Sequence, residues 1–333
     1  MQSILQRIQN KSYAEALATT VPKPPIFVLG FWRSGTTFLH ELLCCDTRFG
    51  FPTTYACLNP AHFLLSERWI PAHRQRQTRR PMDEMYYSWS SPQEDEFALL
   101  ELGAPSAYQA LLVPSLIKNV GPLLDLQQLP VKDQEKWRAT FVYFLKLLTI
   151  QHGKPLILKS PTHGYRIRTL QQKFPEARYV LIERNPYEIF ASNVKLWQTL
   201  TGRYGLEHCP ENELEKFILA AYTLHEKAIS EGLRRSTPGS IVRLRYEDLV
   251  EAPVEQMSRI YFELKLGDFA PVRPAVEAHL AKTAGHRRNR FRLSRAQKMG
   301  VDAAWGTLIE QKGYAWTGSS IELVNDEEPA LTE

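Results

Sequence analysis

Near the start of the chain one stretch narrows the fold more than any other. Pro22-Lys23-Pro24-Pro25 leads into four consecutive apolar residues, Ile26-Phe27-Val28-Leu29. Gly30-Phe31-Trp32-Arg33-Ser34-Gly35-Thr36-Thr37 follows, and then Phe38, Leu39, Leu42 and Leu43 recur at helical spacing. The prolines stop a preceding helix. The apolar run has the length of a strand buried on both faces, and the recurrence after Thr36 predicts a helix. Strand, glycine loop and helix make half of a βαβ unit, which calls for a parallel sheet.

The rest of the chain repeats this alternation. Leu156-Ile157-Leu158 and Tyr179-Val180-Leu181-Ile182 predict two further buried strands with a helix over 166–173 between them, and Ile241-Val242-Arg243-Leu244 predicts a fourth. Helices are expected over about 187–200, over 212–232 and from Val254 onward. Another is expected over 133–151, with Trp137, Phe141, Phe144, Leu145 and Leu148 on one side and Asp133 as its N-cap. The expected fold class is α/β: a P-loop-containing parallel sheet flanked by helices on both faces. No Pro/Gly/Ser-rich linker divides the 333 residues, so a single domain is expected. It would carry a helical insertion over about 59–152, whose residues 59–103 lack strand periodicity, and a basic segment over about 273–298. A polar, acidic tail beyond Ile321 is expected to fray.

Composition sets the limits on function. With 44% hydrophobic and 23% charged residues the chain can bury a core without disulfides or metals. Its cysteines, Cys44, Cys45, Cys57 and Cys209, form neither a disulfide framework nor a C-x-x-C metal pattern, so a reducing, cytoplasmic setting is expected. The opening MQSILQRIQNKSYAEAL reads as a short amphipathic helix, and no apolar run reaches the roughly 18 residues of a membrane span. Neither secretion nor membrane insertion is therefore expected. A net charge of +5 points to an anionic small ligand or to peripheral contact with an anionic membrane surface, and does not imply nucleic acid. The sequence carries no signal for an oligomeric state.

The loop over 30–37 has the two-glycine spacing of a P-loop in the strand-loop-helix context which that motif requires. Glycines let backbone N–H groups converge on a phosphate, and the helix that follows adds its positive end. A nucleoside triphosphatase would carry Lys at position 36 to reach the outer phosphates. Here the residue is Thr36, and the nearest cation is Arg33. No apolar strand ends in an evident metal-binding Asp, so the pattern speaks against Mg-dependent triphosphate chemistry. A nucleotide with a single 5′-phosphate, and no metal, is expected.

WRSGTTFLHELL, over 32–43, resembles the 5′-phosphosulfate loop of sulfotransferases that use 3′-phosphoadenosine 5′-phosphosulfate (PAPS), with a cation immediately before Ser-Gly-Thr-Thr. The resemblance implies that Arg33, Ser34, Gly35, Thr36 and Thr37 bind that end of the donor. A second match is independent: Arg184-Asn185-Pro186 follows YVLIE, and Ser192 comes eight positions after Arg184, as in the family's 3′-phosphate motif. An Arg at a strand's carboxyl end and a hydroxyl one to two helical turns on can face one phosphate. The likeness runs from Pro25 to about Pro253 and is weakest over 53–132. The strings PQEDEFALLELGAPS, LKSPTHGYRI and FPEARYVLIERNPYEIFAS look closest to the bacterial-type branch. What the resemblance implies is an enzyme that moves a sulfonate from PAPS to an acceptor hydroxyl.

The chain departs from other branches at the base. Protein-tyrosine sulfotransferases place a Glu shortly after the P-loop helix, whereas Gly50-Phe51-Pro52-Thr53-Thr54-Tyr55 has no carboxylate. Small-molecule cytosolic enzymes place a His two residues beyond a strand-end Lys, and that position is Pro161. Sulfonyl transfer needs an in-line acceptor oxygen, neutralisation of charge on the departing oxygen, and usually a base. Lys159 resembles the family's strand-end Lys and is expected to neutralise the leaving oxygen, helped by Arg33. For the base, Glu94 and Glu96 of the Glu94-Asp95-Glu96 cluster are favoured over Asp95, since mutual repulsion of neighbouring carboxylates promotes proton uptake. His163 is the rival.

A basic segment late in the chain helps hold the 3′-phosphate in the family, so Arg288, or its neighbours Arg287 and Arg290, is implied here. An exposed basic face or a contact with anionic lipid is the alternative. Residues Phe63, Leu64, Leu65, Trp69, Met82, Met85, Tyr86, Tyr87 and Trp89 can line a wide apolar pocket. A lipid, glycolipid or other small-molecule acceptor is therefore expected. Two other functions stay open from sequence: a P-loop nucleotide phosphotransferase, and a nucleotide-binding protein of this fold without turnover.

Overall fold

The computed structural model describes residues 2–69, 78–79, 86–283, 291–316 and 321–324. The four apolar runs become one parallel sheet. Its strands are β1 (Ile26–Leu29), β4 (Ile157–Lys159), β5 (Arg178–Glu183) and β6 (Ile241–Arg245), in the order β4-β1-β5-β6. Between β1 and β4 in the chain, β2 (Thr78–Arg79) and β3 (Tyr86–Tyr87) form a two-residue antiparallel ladder apart from the main sheet. In register, Ile26 stands opposite Ile157 on one side and Arg178 on the other.

β1 is buried along its whole length because both faces are covered, and its residues divide by parity as a strand's period of two requires. Phe27 and Leu29 pack with Phe141, Phe144, Leu158 and Tyr179. Ile26 and Val28 pack with Leu39, Leu42, Val180 and Val242. Burying one such side chain as fully as Phe27 contributes roughly 1.5–3 kcal/mol.

The helices leaving adjacent strands take opposite faces. Thr36–Leu43, after β1, places Leu39 and Leu42 against Val28. Ile167–Lys173, after β4, places Ile167 and Leu170 on the Phe27 side. Connections that diverge in this way open a crevice between the carboxyl ends of β1 and β4, the usual place for a ligand in an open α/β sheet.

Several expected boundaries are corrected. The long helix runs over Val131–His152 with Pro130 as N-cap, so Asp133 lies in the first turn and not at the cap. Its charge still meets the positive helix end. Gly153, at φ 65°, closes this helix in the left-handed conformation that glycine adopts most cheaply. Pro186–Tyr204 and Glu211–Arg235 extend beyond the expected spans. The N-terminal region forms two helices, Gln2–Ser12 and Ala14–Thr19, and buried Gln9 ties the first to Pro60 O and Leu64 N. The chain beyond Ile321 does not begin as a frayed tail: β8 (Ile321–Val324) pairs in parallel with β7 (Phe291–Ser294), and Ile321 is buried. Four residues with one acidic side chain were too short a pattern to read. Among the described residues no helix is long and apolar enough to cross a membrane.

Candidate active site

The loop between β1 and its helix is held in a shape that few residues tolerate. Gly35 has φ 97°, and a Cβ there would come within 2.3 Å of the Tyr246 ring, so glycine is required both by the backbone and by space. Arg33 also adopts a left-handed φ of 69°, a conformation uncommon for residues with side chains. Ser34 Oγ donates to Phe31 O at 2.8 Å and braces the turn. Helix Thr36–Leu43 starts at Gly35 with no side-chain cap. Its first-turn amides have no acceptor within the helix, and they face the crevice with the positive end of the helix dipole. Such a cradle fits an anionic phosphate or sulfate group.

The two anion motifs read separately in the sequence meet here. Arg33 Nε donates to Ser192 Oγ at 2.8 Å. Arg184 Nη1 donates to Arg33 O at 3.0 Å, its guanidinium lies 4.4 Å from the Tyr246 ring centre, and it pairs with Glu188 one helical turn on. Asn193 Nδ2 donates to Trp32 O at 2.9 Å. The helix Pro186–Tyr204 is thus stitched to the P-loop at consecutive residues. Asn185 caps that helix by accepting from Tyr187 N, while its Nδ2 reaches Ala315 O at 3.0 Å. Trp316 packs edge-on to Tyr187 at 5.1 Å. Lys312 is paired with Glu226 at 2.7 Å and with Glu183 at the end of β5. Residues 312–316 therefore form a strap beside the Arg184 motif. Burial opposes the charge on Glu226, but His225 and Lys312 outweigh it and hold that carboxyl down at about 2.

At the carboxyl end of β4, buried Lys159 extends its Nζ to Glu94 Oε1 at 2.7 Å and lies 3.4 Å from Thr37 Oγ1. Glu94 is the N-cap of helix Asp95–Glu101. Its other oxygen, Oε2, accepts from the Tyr108 hydroxyl, whose oxygen in turn accepts from Trp32 Nε1 at 3.2 Å. Burial, and then the Glu94 charge, push the Tyr108 hydroxyl well above its ordinary range, so it stays protonated. His40 is buried within reach of the Lys159 charge. Burial, and then the lysine's charge, lower it to about 3, and it is neutral.

The three consecutive carboxylates form a ladder with three basic side chains of the segment 159–166. Glu94 pairs with Lys159, Asp95 Oδ1 meets His163 Nε2 at 3.0 Å, and Glu96 receives both Nη atoms of Arg166 at 2.5 and 3.1 Å. Relative exposure separates the rungs: Glu94 keeps 9%, whereas Asp95 and Glu96 have 0%. Successive helix residues point about 100° apart, so the three cannot face one cavity. Glu96 also accepts from Ser106 Oγ at 2.6 Å and Thr162 Oγ1 at 2.9 Å. Burial works against its charge, but Arg166 and these hydroxyls prevail and hold its carboxyl below the ordinary range.

Of the expected site residues, the structure therefore brings together Arg33, Ser34, Gly35, Thr36, Thr37, Lys159, Glu94, Arg184 and Ser192. It does not bring Glu96 or His163 to the crevice. Glu96 is saturated in the core, and His163 is fully buried between the rings of Phe27 and Phe141 at 5.3 and 5.8 Å. Arg287, Arg288 and Arg290 lie outside the described residues, as do Met82 and Met85. In the expected acceptor pocket, Phe63 is instead core, Trp69 is 72% exposed, and Trp89 packs edge-on to Tyr55 at 5.6 Å. Tyr108 and the indole of Trp32 were not read as site residues. Nothing in their spacing points to Glu94, 14 positions before Tyr108.

Comparison with known proteins bears on this arrangement. Residues 24–270 match the sulfotransferase family. The omega-hydroxy-beta-dihydromenaquinone-9 sulfotransferases Stf3 of Mycobacterium bovis and Mycobacterium tuberculosis are each 37% identical over 297 residues, spanning 89% of this chain and 76% of theirs. Among solved structures, sulfotransferase STF9 from Mycobacterium avium superposes with a TM-score of 0.72 at 18% identity, covering 93% of this chain and 82% of its own. Sulfotransferase STF1 from Mycobacterium tuberculosis gives 0.64 at 21% identity, covering 83% and 76%. These two likenesses establish the fold alone.

Proposed function

This chain belongs to the sulfotransferase family and is a sulfonate-transferring enzyme; on that premise we propose that its donor is PAPS and its acceptor the hydroxyl of a lipid. The observation that carries the donor reading is the contact of Arg33 with Ser192, which joins two anion-binding motifs into one site suited to a nucleotide with phosphate at both ends. In this reading residues 33–37 hold the 5′-phosphosulfate, and Arg184 with Ser192 holds the 3′-phosphate. The left-handed turn at Gly35, packed so closely on the Tyr246 ring that no side chain fits, supports the fit by fixing the loop's shape.

Lys159 has three N–H donors. One is engaged by Glu94 and one points toward Thr37, which leaves a third for the departing bridging oxygen. Glu94 is the base. As the acceptor oxygen attacks sulfur and the bond from sulfur to the bridging oxygen breaks, the acceptor's proton passes to the Glu94 carboxylate. Each carboxylate oxygen has a second lone-pair site, so Glu94 can accept this proton while its bonds to Lys159 and Tyr108 persist. The proposal sets His163 and Glu96 aside as bases.

The printed name of the Stf3 relatives specifies a hydroxylated menaquinone derivative, and that supports a lipid acceptor for this chain. Exposed Ile4 and Ile8 share a helix face with exposed Arg7 and Lys11, which supports peripheral contact with an anionic membrane. Free Cys44, Cys45, Cys57 and Cys209 support a reducing, cytoplasmic setting. A screen with sulfur-labelled PAPS over hydroxylated isoprenoid lipids, glycolipids, phenols and peptides tests the reading. Label is expected in the lipid fraction. Transfer confined to phenols or peptides overturns the acceptor, and no transfer from PAPS to any acceptor overturns the donor.

A further inference from the structure

We propose that Tyr108 is a positioning residue for sulfonate transfer, which together with Trp32 fixes the direction of the Glu94 carboxylate. The inference rests on the reading of Glu94 as the base, and it follows from counting donors. An indole Nε1–H can only donate. Its 3.2 Å bond to the Tyr108 oxygen therefore makes that oxygen an acceptor, and the single hydroxyl proton is left for Glu94 Oε2. The order Trp32 to Tyr108 to Glu94 cannot reverse while the indole is in place. Lys159 holds the other oxygen, Oε1. The terminal torsion of a glutamate is ordinarily broad, and a fixed donor on each oxygen removes that freedom.

Tyr108 is itself held from two sides. Its backbone N–H donates to Ser106 Oγ at 3.1 Å, and Ser106 Oγ donates to Glu96 Oε1 at 2.6 Å, so the deepest rung of the ladder sets the height of the tyrosine. Its ring lies 5.1 Å from Phe97 and 6.5 Å from Trp32. Trp32 is a P-loop residue whose carbonyl is held by Asn193. One buried hydroxyl thus couples the phosphate loop to the base, and it keeps the carboxylate's remaining lone pairs turned toward the place where an acceptor oxygen must arrive.

The test compares Tyr108→Phe, Glu94→Gln and the double variant by steady-state kinetics with PAPS and a hydroxylated lipid acceptor, with thermal melts to establish folding. Tyr108→Phe is expected to lower kcat about 10- to 100-fold, the rate equivalent of a hydrogen bond to a charged group. KM for both substrates should stay within about twofold, because the bond positions a group whose work is done in the transition state. The double variant should be no slower than Glu94→Gln alone. A Tyr108→Phe enzyme with wild-type kcat, or a further full loss in the double variant, overturns the role of Tyr108 while leaving Glu94 as base. Full activity in Glu94→Gln overturns the base itself and this inference with it. A loss confined to KM assigns Tyr108 to substrate binding, contrary to the proposal.

Discussion

Two rungs of the same ladder, Glu94 with Lys159 and Glu96 with Arg166, pair a carboxylate with a cation two residues apart on one helix start, yet they differ in nearly every physical respect. The Glu96 rung is fully buried, bidentate and backed by Ser106 and Thr162, and its guanidinium lies 4.8 Å from the Trp137 ring centre. Both oxygens of its carboxylate accept two hydrogen bonds each. The Glu94 rung is monodentate, lies at the crevice, and uses a lysine whose ammonium has donors to spare. Burial and saturation make an ion pair structural, whereas partial exposure and an unfilled valence make one available for chemistry.

Breaking each rung should therefore produce different kinds of damage. Removing one partner of a buried pair strands the other charge, so Arg166→Ala is expected to destabilise the fold by about 3–5 kcal/mol, measured by urea denaturation. A loss below about 1 kcal/mol would mean that Glu96 finds other compensation and that the two rungs are alike. Lys159→Ala should instead lower turnover by ~10²-fold or more with donor affinity within a few-fold, as read by single-turnover rates beside calorimetric binding of adenosine 3′,5′-bisphosphate. If affinity falls as far as rate, the lysine holds the ground state and the proposed leaving-group role fails.

Arg184→Ala extends the contrast to the nucleotide side. Binding of the bisphosphate should weaken by about 1.5–3 kcal/mol, the range for hydrogen bonds to charged groups, and unchanged affinity would remove Arg184 from the site. The smallest effect concerns pH. Because Glu96 is held below the ordinary carboxylate value of 4.5, it adds stability at higher pH, and that contribution is lost as pH falls below about 4.5 through its folded-state value. Unfolding free energy against pH should show a shallower acid decline in Glu96→Gln than in the unsubstituted protein, and identical slopes would show that this carboxyl does not titrate with folding.

The same contrast explains what was legible in the sequence. β1, β4, β5 and β6 were readable because a strand buried on both faces must be apolar throughout, and Gly35 and Arg33 were readable because a phosphate loop needs those residue types in that order. The acidic cluster was visible too. Which member faces the crevice was not, since that depends on helix phase and on partners 65 to 70 positions away. Tyr108 acts through one hydroxyl on a loop without periodicity, and the strand at Ile321 is defined only by its distant partner at Phe291. Long-range pairing of short segments leaves no local trace.

The strap at 312–316 bears on how the molecule is made. Lys312 sits between Glu183 and Glu226, two mostly buried carboxylates from β5 and from the helix Glu211–Arg235. During synthesis both emerge long before Lys312; Glu183 by then has Arg243 of β6 at 3.1 Å, and Lys312 later adds the ion pairs that tie it to Glu226. A cation shared between two carboxylates favours their burial side by side. The end of β5, which presents Arg184, therefore gains its last ionic support only when residues 312–316 have docked, late in the life of the nascent chain.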